Sequence, residues 1–334
     1  PERLLGLMMG CGSFVTAAAP AIGPTFGGIM TQYFTWRYIF ICVLPVIVLA
    51  SFIGYFCMSE QIINKHEKFD LLSFIAEALA FVSLIMGFSN LNQIVDDLVC
   101  VLGCFIIGII SLYYFTKRQL HIKNSLIRIE IFNHKGFTFH TLAIMFLQMT
   151  TLGYGLLLPT FVQIVLKQPA IDAGVVLLPG AIVGAVFAPI GGLILDRLGA
   201  KKPIILGLCC SFIATFCFLF FFENLTYQSC ILFYFIYSLG VGLIVGNTMT
   251  SAMSYLPINL QADGNAALQT LMQLSGGIGT SITATILAFV QQGTNLYDGT
   301  NRGALFVLIF LMFNINIVIL SQYFAFKGGK KNEF

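Results

Sequence analysis

Stretches of about 20 apolar residues recur along the whole chain, separated by short joints that hold most of its charge. A helix rises about 1.5 Å per residue, so each stretch reaches across a hydrocarbon core roughly 30 Å thick. Of the 334 residues, 58% are hydrophobic and 9% are charged, against roughly a quarter charged in an ordinary soluble domain. A fold in water has nowhere to hide that much apolar surface. Runs such as 101–114 and 204–222 are apolar nearly all round, without the two-residue alternation of a membrane-barrel strand. The chain reads as an all-α integral membrane protein. About ten transmembrane helices are expected, near 5–32, 36–57, 71–91, 98–116, 138–163, 173–195, 203–222, 229–256, 264–290 and 304–326.

Loops on the cytoplasmic side carry the excess of Lys and Arg. With residue 1 cytoplasmic and ten alternating segments, Arg3, Lys65, Lys68, Lys117, Arg118, Lys123, Arg128, Lys135, Arg197, Lys201, Lys202, Lys327, Lys330 and Lys331 fall inside. Only Arg37, Lys167 and Arg302 fall outside. One miscounted helix would scramble this division, so it supports a multi-pass protein of the cell membrane with both ends of the chain cytoplasmic. The joint at 117–137 also contains Leu126, Ile127, Ile129, Ile131 and Phe132. It reads either as an amphipathic piece on the inner membrane surface facing anionic lipid or as a solvated linker.

Two runs of small residues bear on mechanism. In the opening segment Gly12, Ala19, Gly23 and Gly27 share one helical face, with Pro24 and Gly28 beside them. Small residues let a second backbone come close, which is how helices associate in lipid, and Pro24 favours a kink. The sixth segment repeats the device at Gly180, Gly184, Ala188 and Gly192. Two such faces are expected to press together and rock, the seam that alternating access requires. Below the second ladder stand Asp196, Arg197, Gly199, Lys201 and Lys202. An acid at the membrane edge above a basic cluster fits a gating latch; the plainer reading is a positively charged loop.

The pattern Gly12-(x6)-Ala19-(x3)-Gly23-Pro24-(x2)-Gly27-Gly28 resembles the antiporter motif in the fifth helix of major facilitator drug:proton antiporters, with Ala19 where the family has glycine. Gly192-x3-Asp196-Arg197-x-Gly199-x-Lys201-Lys202 resembles the second-half copy of that superfamily's loop motif. Trp36-Arg37-Tyr38-Ile39-Phe40, Leu158-Pro159-x3-Gln163 and Ala173-Gly174-x4-Pro179 fit the same group. Two extra helices near 71–116 are similar to the insertion of the fourteen-helix, EmrB/QacA-like branch. The resemblance implies a major facilitator-type bundle divided as 1–57 (the last two helices of an N-terminal half), 58–137 (two inserted helices and a cytoplasmic loop) and 138–334 (a C-terminal six-helix half). It also implies four further helices ahead of Pro1, carrying the residues tied to proton coupling, so that this chain is a fragment of an exporter.

Polar residues inside lipid need a reason, since a charge at mid-bilayer costs roughly 2.5–3.5 kcal/mol on insertion scales. Glu77 is the clear charged case and is read as structural, snorkelling or paired near the inner surface. Gln148, Tyr154, Gln163, Asn247, Gln269 and Gln273 are the candidate substrate cavity, amides and a hydroxyl in an aromatic-rich bundle suited to bulky amphipathic compounds. Inter-helix hydrogen bonding is the competing reading for each. Gly153, Gly155 and Pro159 are positioned to break the fifth segment.

His66, His121, His134 and His140 lie in or beside loops with no carboxylate or cysteine cluster, so neither metal nor catalysis is indicated. The nine cysteines sit mostly in apolar runs. No GxxxxGK[ST] loop occurs, which removes the usual phosphate cradle of a nucleotide-driven pump. The expectation is a non-enzymatic efflux transporter without cofactor, driven by a proton gradient, with small amphipathic compounds, protons and membrane lipid as partners and no nucleic acid. A monomeric transport unit with an accessory efflux protein fits this reading. A metabolite exporter or symporter on the same scaffold, and a non-transporting sensor or assembly subunit, stay open as alternatives.

Overall fold

The computed structural model describes residues 23, 25–57, 70–91, 97–122 and 126–329. Nine helices among the described residues are long and apolar enough to cross a membrane, one for each expected segment from 36–57 onward. The expected segment at 5–32 lies mostly outside the described residues, although 25–33 is helical. No strand occurs among the described residues.

The first full helix, α1 (Arg37–Cys57), buries none of its residues and exposes large apolar side chains such as Phe40, Leu44 and Phe52 along its length. The next two, α2 (Leu71–Ser89) and α3 (Leu98–His121), form an antiparallel hairpin. A Cβ on Gly108 would meet Leu84 at 2.8 Å, and one on Gly87 would meet the Phe105 ring at 3.2 Å. Asp97 caps α3 by accepting from the Cys100 backbone N–H at 3.1 Å. α3 runs past the expected end at 116 because Arg118 has a partner: its Nε and Nη2 donate to the two Asp70 carboxylate oxygens at 2.9 Å each.

That forked pair, with Ser73 Oγ also donating to Asp70, holds the Asp70 carboxyl well below the usual carboxylate range. The sign of the consequence follows from linkage. Its stabilising contribution is fully present above the ordinary aspartate value of 3.8, declines as pH falls below that value, and is gone once the folded carboxylate is itself protonated. Thermal melting in detergent should therefore separate the wild type from Asp70→Asn at pH 7 and at pH 5. The gap should shrink below about pH 4; a gap that grows on acidification would contradict the pairing.

After a 3-10 turn at Ile129–Asn133, the chain enters α4 (Lys135–Ile164), α5 (Ala170–Val175), α6 (Leu178–Leu198), α7 (Lys201–Phe220), α8 (Tyr227–Ser254), α9 (Gln261–Gln291) and α10 (Leu296–Gly329). Where it is described, the joint at 117–137 continues α3 to His121 and then turns its apolar side chains onto the bundle. Ile131 is fully buried with Phe137, Ile144 and Leu268, and Ile127 and Phe132 pack on them. Arg128 pairs with Asp263 at 3.5 Å, tying the joint to the start of α9.

α4 packs against α8, α9 and α10. It stays helical through Gly153, Gly155 and Pro159 instead of breaking there. Gly153 admits Leu311 of α10, whose side chain would lie 2.7 Å from an added Cβ. The break comes in the next span instead, between α5 and α6, just before Pro179. Around α4, the side chains of Leu147, Leu157, Phe161, Ile204, Phe218 and Ile315 form the main core. α2 docks on α9 from outside that core: Ser89 and Ser281 hydroxyls lie 2.8 Å apart, and Thr285 Oγ1 donates to the Phe88 carbonyl at 2.9 Å.

Alternation of these helices gathers the basic residues at one end. Lys135 at the start of α4 neighbours Gly328 at the end of α10, and Lys201 and Lys327 line one groove. The opposite end carries Lys167, whose Nζ lies 5.7 Å from the Tyr297 ring centre.

Candidate functional site

Helical residues 25–33, which carry the end of the first small-residue run, lie against α5 at the end away from the lysines. Thr25 Oγ1 donates to the Gly174 carbonyl at 3.1 Å, and the Ile171 N–H donates to Gln32 Oε1 at 3.1 Å. A Cβ on Gly28 would stand 2.8 Å from the Ala170 carbonyl oxygen and 3.3 Å from the Gly174 Cα. The two backbones thus touch through glycine. Gly23 and Gly27 have no atom within 4 Å of an added Cβ among the described residues; Gly12, Ala19 and Pro24 lie outside them.

At its first two glycines the second ladder meets a different helix. Gly180 and Gly184 of α6 face α8: an added Cβ would lie 2.6 Å from Tyr234 at the first and 2.9 Å from the Ser238 carbonyl oxygen at the second. The Gly184 carbonyl in turn fills the space beside Gly242. Gly12 and Ala19 of the first ladder lie outside the described residues, where the expected pairing of the two ladders falls; among those described, Gly180 and Gly184 pack within the bundle and Gly28 packs on α5. Helical spacing identifies a face but not the helix it meets.

In the loop motif, α6 ends at Leu198 and α7 begins at Lys201, with two residues between them. Gly199 adopts φ 79° and ψ 160°, a conformation open essentially to glycine alone. Gly192 is half-buried, while Asp196, Arg197, Lys201 and Lys202 are exposed around the turn. Among the described residues Asp196 makes no ion pair.

The six polar candidates divide by environment. Tyr154 is fully buried, donates to Thr215 Oγ1 at 3.1 Å and sits among the rings of Phe218, Tyr234 and Tyr237. Asn247 is buried between α8 and α6, its Nδ2 donating to the Leu243 carbonyl at 2.7 Å. Gln148 is half-buried beside Gly276 of α9, and Gln163, Gln269 and Gln273 are exposed. Gln269 and Gln273 stand one turn apart on one face of α9, as expected. Glu77 is half-buried and makes no ion pair among the described residues.

Two polar contacts at the basic end had no clear signal in the sequence. His140 lies within α4, fully buried, with Nε2 3.1 Å from Ser251 Oγ of α8 and its ring between Tyr255 and Phe326. Gln322 of α10, also buried, donates from Nε2 to Thr248 Oγ1 at 3.1 Å. Each is a cross-helix contact between residues far apart in the chain, so no local pattern announces it. No cluster of three potential metal ligands occurs among the described residues.

Apolar helices joined through glycine contacts, a hairpin on the flank and basic residues gathered at one end define a multi-pass membrane protein. A family model described as Major Facilitator Superfamily matches residues 1–280, and the chain belongs to that family. It is 30% identical over 303 residues to the lincomycin resistance protein LmrB of Listeria monocytogenes, a match covering 91% of this chain and 64% of that protein. The protein of the same name from Bacillus subtilis is 32% identical over 294 residues, covering 86% and 60%. The tetracenomycin C resistance and export protein of Streptomyces glaucescens is 24% identical over 294 residues, covering 86% and 54%. The chain thus spans 64% or less of the length of these relatives.

Proposed function

We propose that this chain forms part of a secondary active exporter that expels amphipathic drugs or toxins in exchange for protons by alternating access. The observation that carries the reading is the glycine contact at Gly28, Ala170 and Gly174. It joins the antiporter-motif segment to the span that leads into the loop motif, where two halves of a rocking transporter would meet. The relatives named for lincomycin resistance and for tetracenomycin C resistance and export support a drug-like substrate.

In this reading residues 1–57 belong to one half, 58–137 to the inserted hairpin and its loop, and 138–334 to the other half, with the lysine-rich end in the cytoplasm. The contact at Gly28 then closes the outer end of the path. Gln148, Gln163, Gln269 and Gln273 supply the polar lining for substrate; Tyr154 and Asn247 hold the helices that carry it. Asp196 and the basic residues after it act at the inner gate. The protein works as a monomer, needs no bound cofactor and draws on the proton gradient.

Cells expressing the protein should expel lincomycin or a fluorescent cationic dye, and a protonophore should stop the efflux. Efflux that persists without a gradient overturns proton antiport. Absence of efflux for every amphipathic compound tried, with the protein in the membrane, overturns the exporter reading.

A further inference from the structure

A groove of about 670 Å³ runs between α7 and α10 at the basic end of the bundle. Its walls are apolar, with Ile205, Leu208 and Phe212 on one side and Ile319 and Phe326 on the other. It opens sideways, towards lipid: Ile205, Ile213 and Tyr323 on its rim are 45%, 53% and 59% exposed. The amide of Gln322, which also borders it, is engaged inward with Thr248.

The charges sit only at the mouth, and both have one sign. Lys201 is the first residue of α7 and Lys327 stands in the last turn of α10, so two different helices bring an ammonium to the same groove. Among the described residues no Asp or Glu lines it, and neither lysine forms an ion pair. Lys327 Nζ rests 6.0 Å from the Tyr323 ring centre. α7 also begins without a side-chain cap, so its positive end adds to the same field. The groove is therefore apolar along its length and cationic at one end, at the depth where an apolar bundle meets the headgroups.

We propose that this groove is a binding site for an anionic phospholipid, with an acyl chain along the Ile205–Phe212 wall and the phosphate between Lys201 and Lys327. The chemistry recognised is a phosphodiester on a long apolar chain: the two ammonium groups complement the phosphate, and the sideways opening admits a lipid from the bilayer. Basic pockets between transmembrane helices hold anionic headgroups in this way. The site lies between α7 and α10, and no residue of α9 lines it; it shares Lys201 with the proposed inner gate, so its test reads lipid retention and not transport.

Native mass spectrometry of the purified full chain in detergent tests the assignment, using phosphatidylglycerol against phosphatidylcholine of the same acyl composition. The wild type should retain phosphatidylglycerol in preference, and Lys201→Gln/Lys327→Gln should lower that preference about tenfold. Lys201→Arg/Lys327→Arg should keep it. Ile205→Trp, which fills the groove and spares both lysines, should reduce retention of both lipids. Equal preference in the wild type and the double glutamine variant overturns the headgroup assignment. Displacement of the lipid by inorganic phosphate at equal concentration overturns the acyl assignment. Unchanged melting temperatures in lipid-free detergent show that the variants are folded.

Discussion

Gly240→Leu should leave little folded protein. The α7–α8 crossing is a contact of backbone on backbone: a Cβ on Gly240 would stand 2.5 Å from the Gly207 carbonyl oxygen, and one on Gly207 would stand 2.6 Å from the Gly240 carbonyl oxygen. No rotamer change relieves such a clash, because the obstructing atoms belong to the helices themselves. The helices must separate, and with them Phe218, Tyr237 and Ile244 of the main core. Overpacking a well-filled core costs roughly 1–3 kcal/mol when side chains can adjust. Here the neighbouring backbone cannot, and in lipid no hydrophobic drive restores the lost packing. Gly155→Leu is the control, since an added Cβ there meets nothing within 4 Å among the described residues. Size-exclusion profiles of fluorescently tagged protein should show a normal monodisperse peak for Gly155→Leu and mostly aggregate for Gly240→Leu. Equal peaks would mean that the crossing is looser than the distances say.

No pattern in the sequence pairs Gly240 with Gly207. Length and apolarity place the nine described spans, because in lipid every backbone polar group must be satisfied within its own helix. They fail at the ends. α10 starts at Leu296 and not near 304, since Asn295 Oδ1 accepts from the Asp298 N–H at 2.8 Å and Gln291 Nε2 donates to Thr300 Oγ1 at 2.8 Å. α3 continues to His121 because Asp70, nearly fifty residues earlier, receives Arg118. Hydropathy stops at a charge; a helix stops where its hydrogen bonds run out.

The candidate site was legible in kind more than in arrangement. Glycine spacing identified Gly180 and Gly184 as a packing face, but only the rotation of α6 against α8 decides that Tyr234 and Ser238 fill it. The same missing quantity separates the amides. Gln269 and Gln273 share an open face of α9, whereas Asn247, equally polar and equally deep in its span, turns into the bundle. Tyr154 looked like a ligand-facing hydroxyl because Thr215, its acceptor, lies on another helix. A residue's neighbour across helices is set by crossing angle and rotation, which a one-dimensional pattern does not contain.

Gly28→Val should cut efflux sharply while leaving the protein folded, which would separate the seam from the bundle core. The valine Cβ alone would press to 2.8 Å from the Ala170 carbonyl oxygen, and its two methyl groups have no room beside Gly174. The bonds from Thr25 to Gly174 and from Ile171 to Gln32 depend on that approach and would lengthen with it. None of these atoms belongs to the main core around Tyr154 and Leu311, so the bundle itself should melt as before. A penalty of roughly 1–3 kcal/mol for overpacking falls only on the state in which residues 25–33 touch α5. An alternating-access cycle must pass through that state once per turnover, and its population drops about tenfold for each 1.4 kcal/mol or so. Dye efflux should therefore fall about tenfold or more in Gly28→Val, with Gly28→Ala between it and the wild type. Gly103→Val, where an added Cβ meets nothing within 4 Å among the described residues, should transport normally. Full activity in Gly28→Val at normal expression would show that the cycle does not use this contact, and the rocking seam would have to be sought elsewhere in the chain.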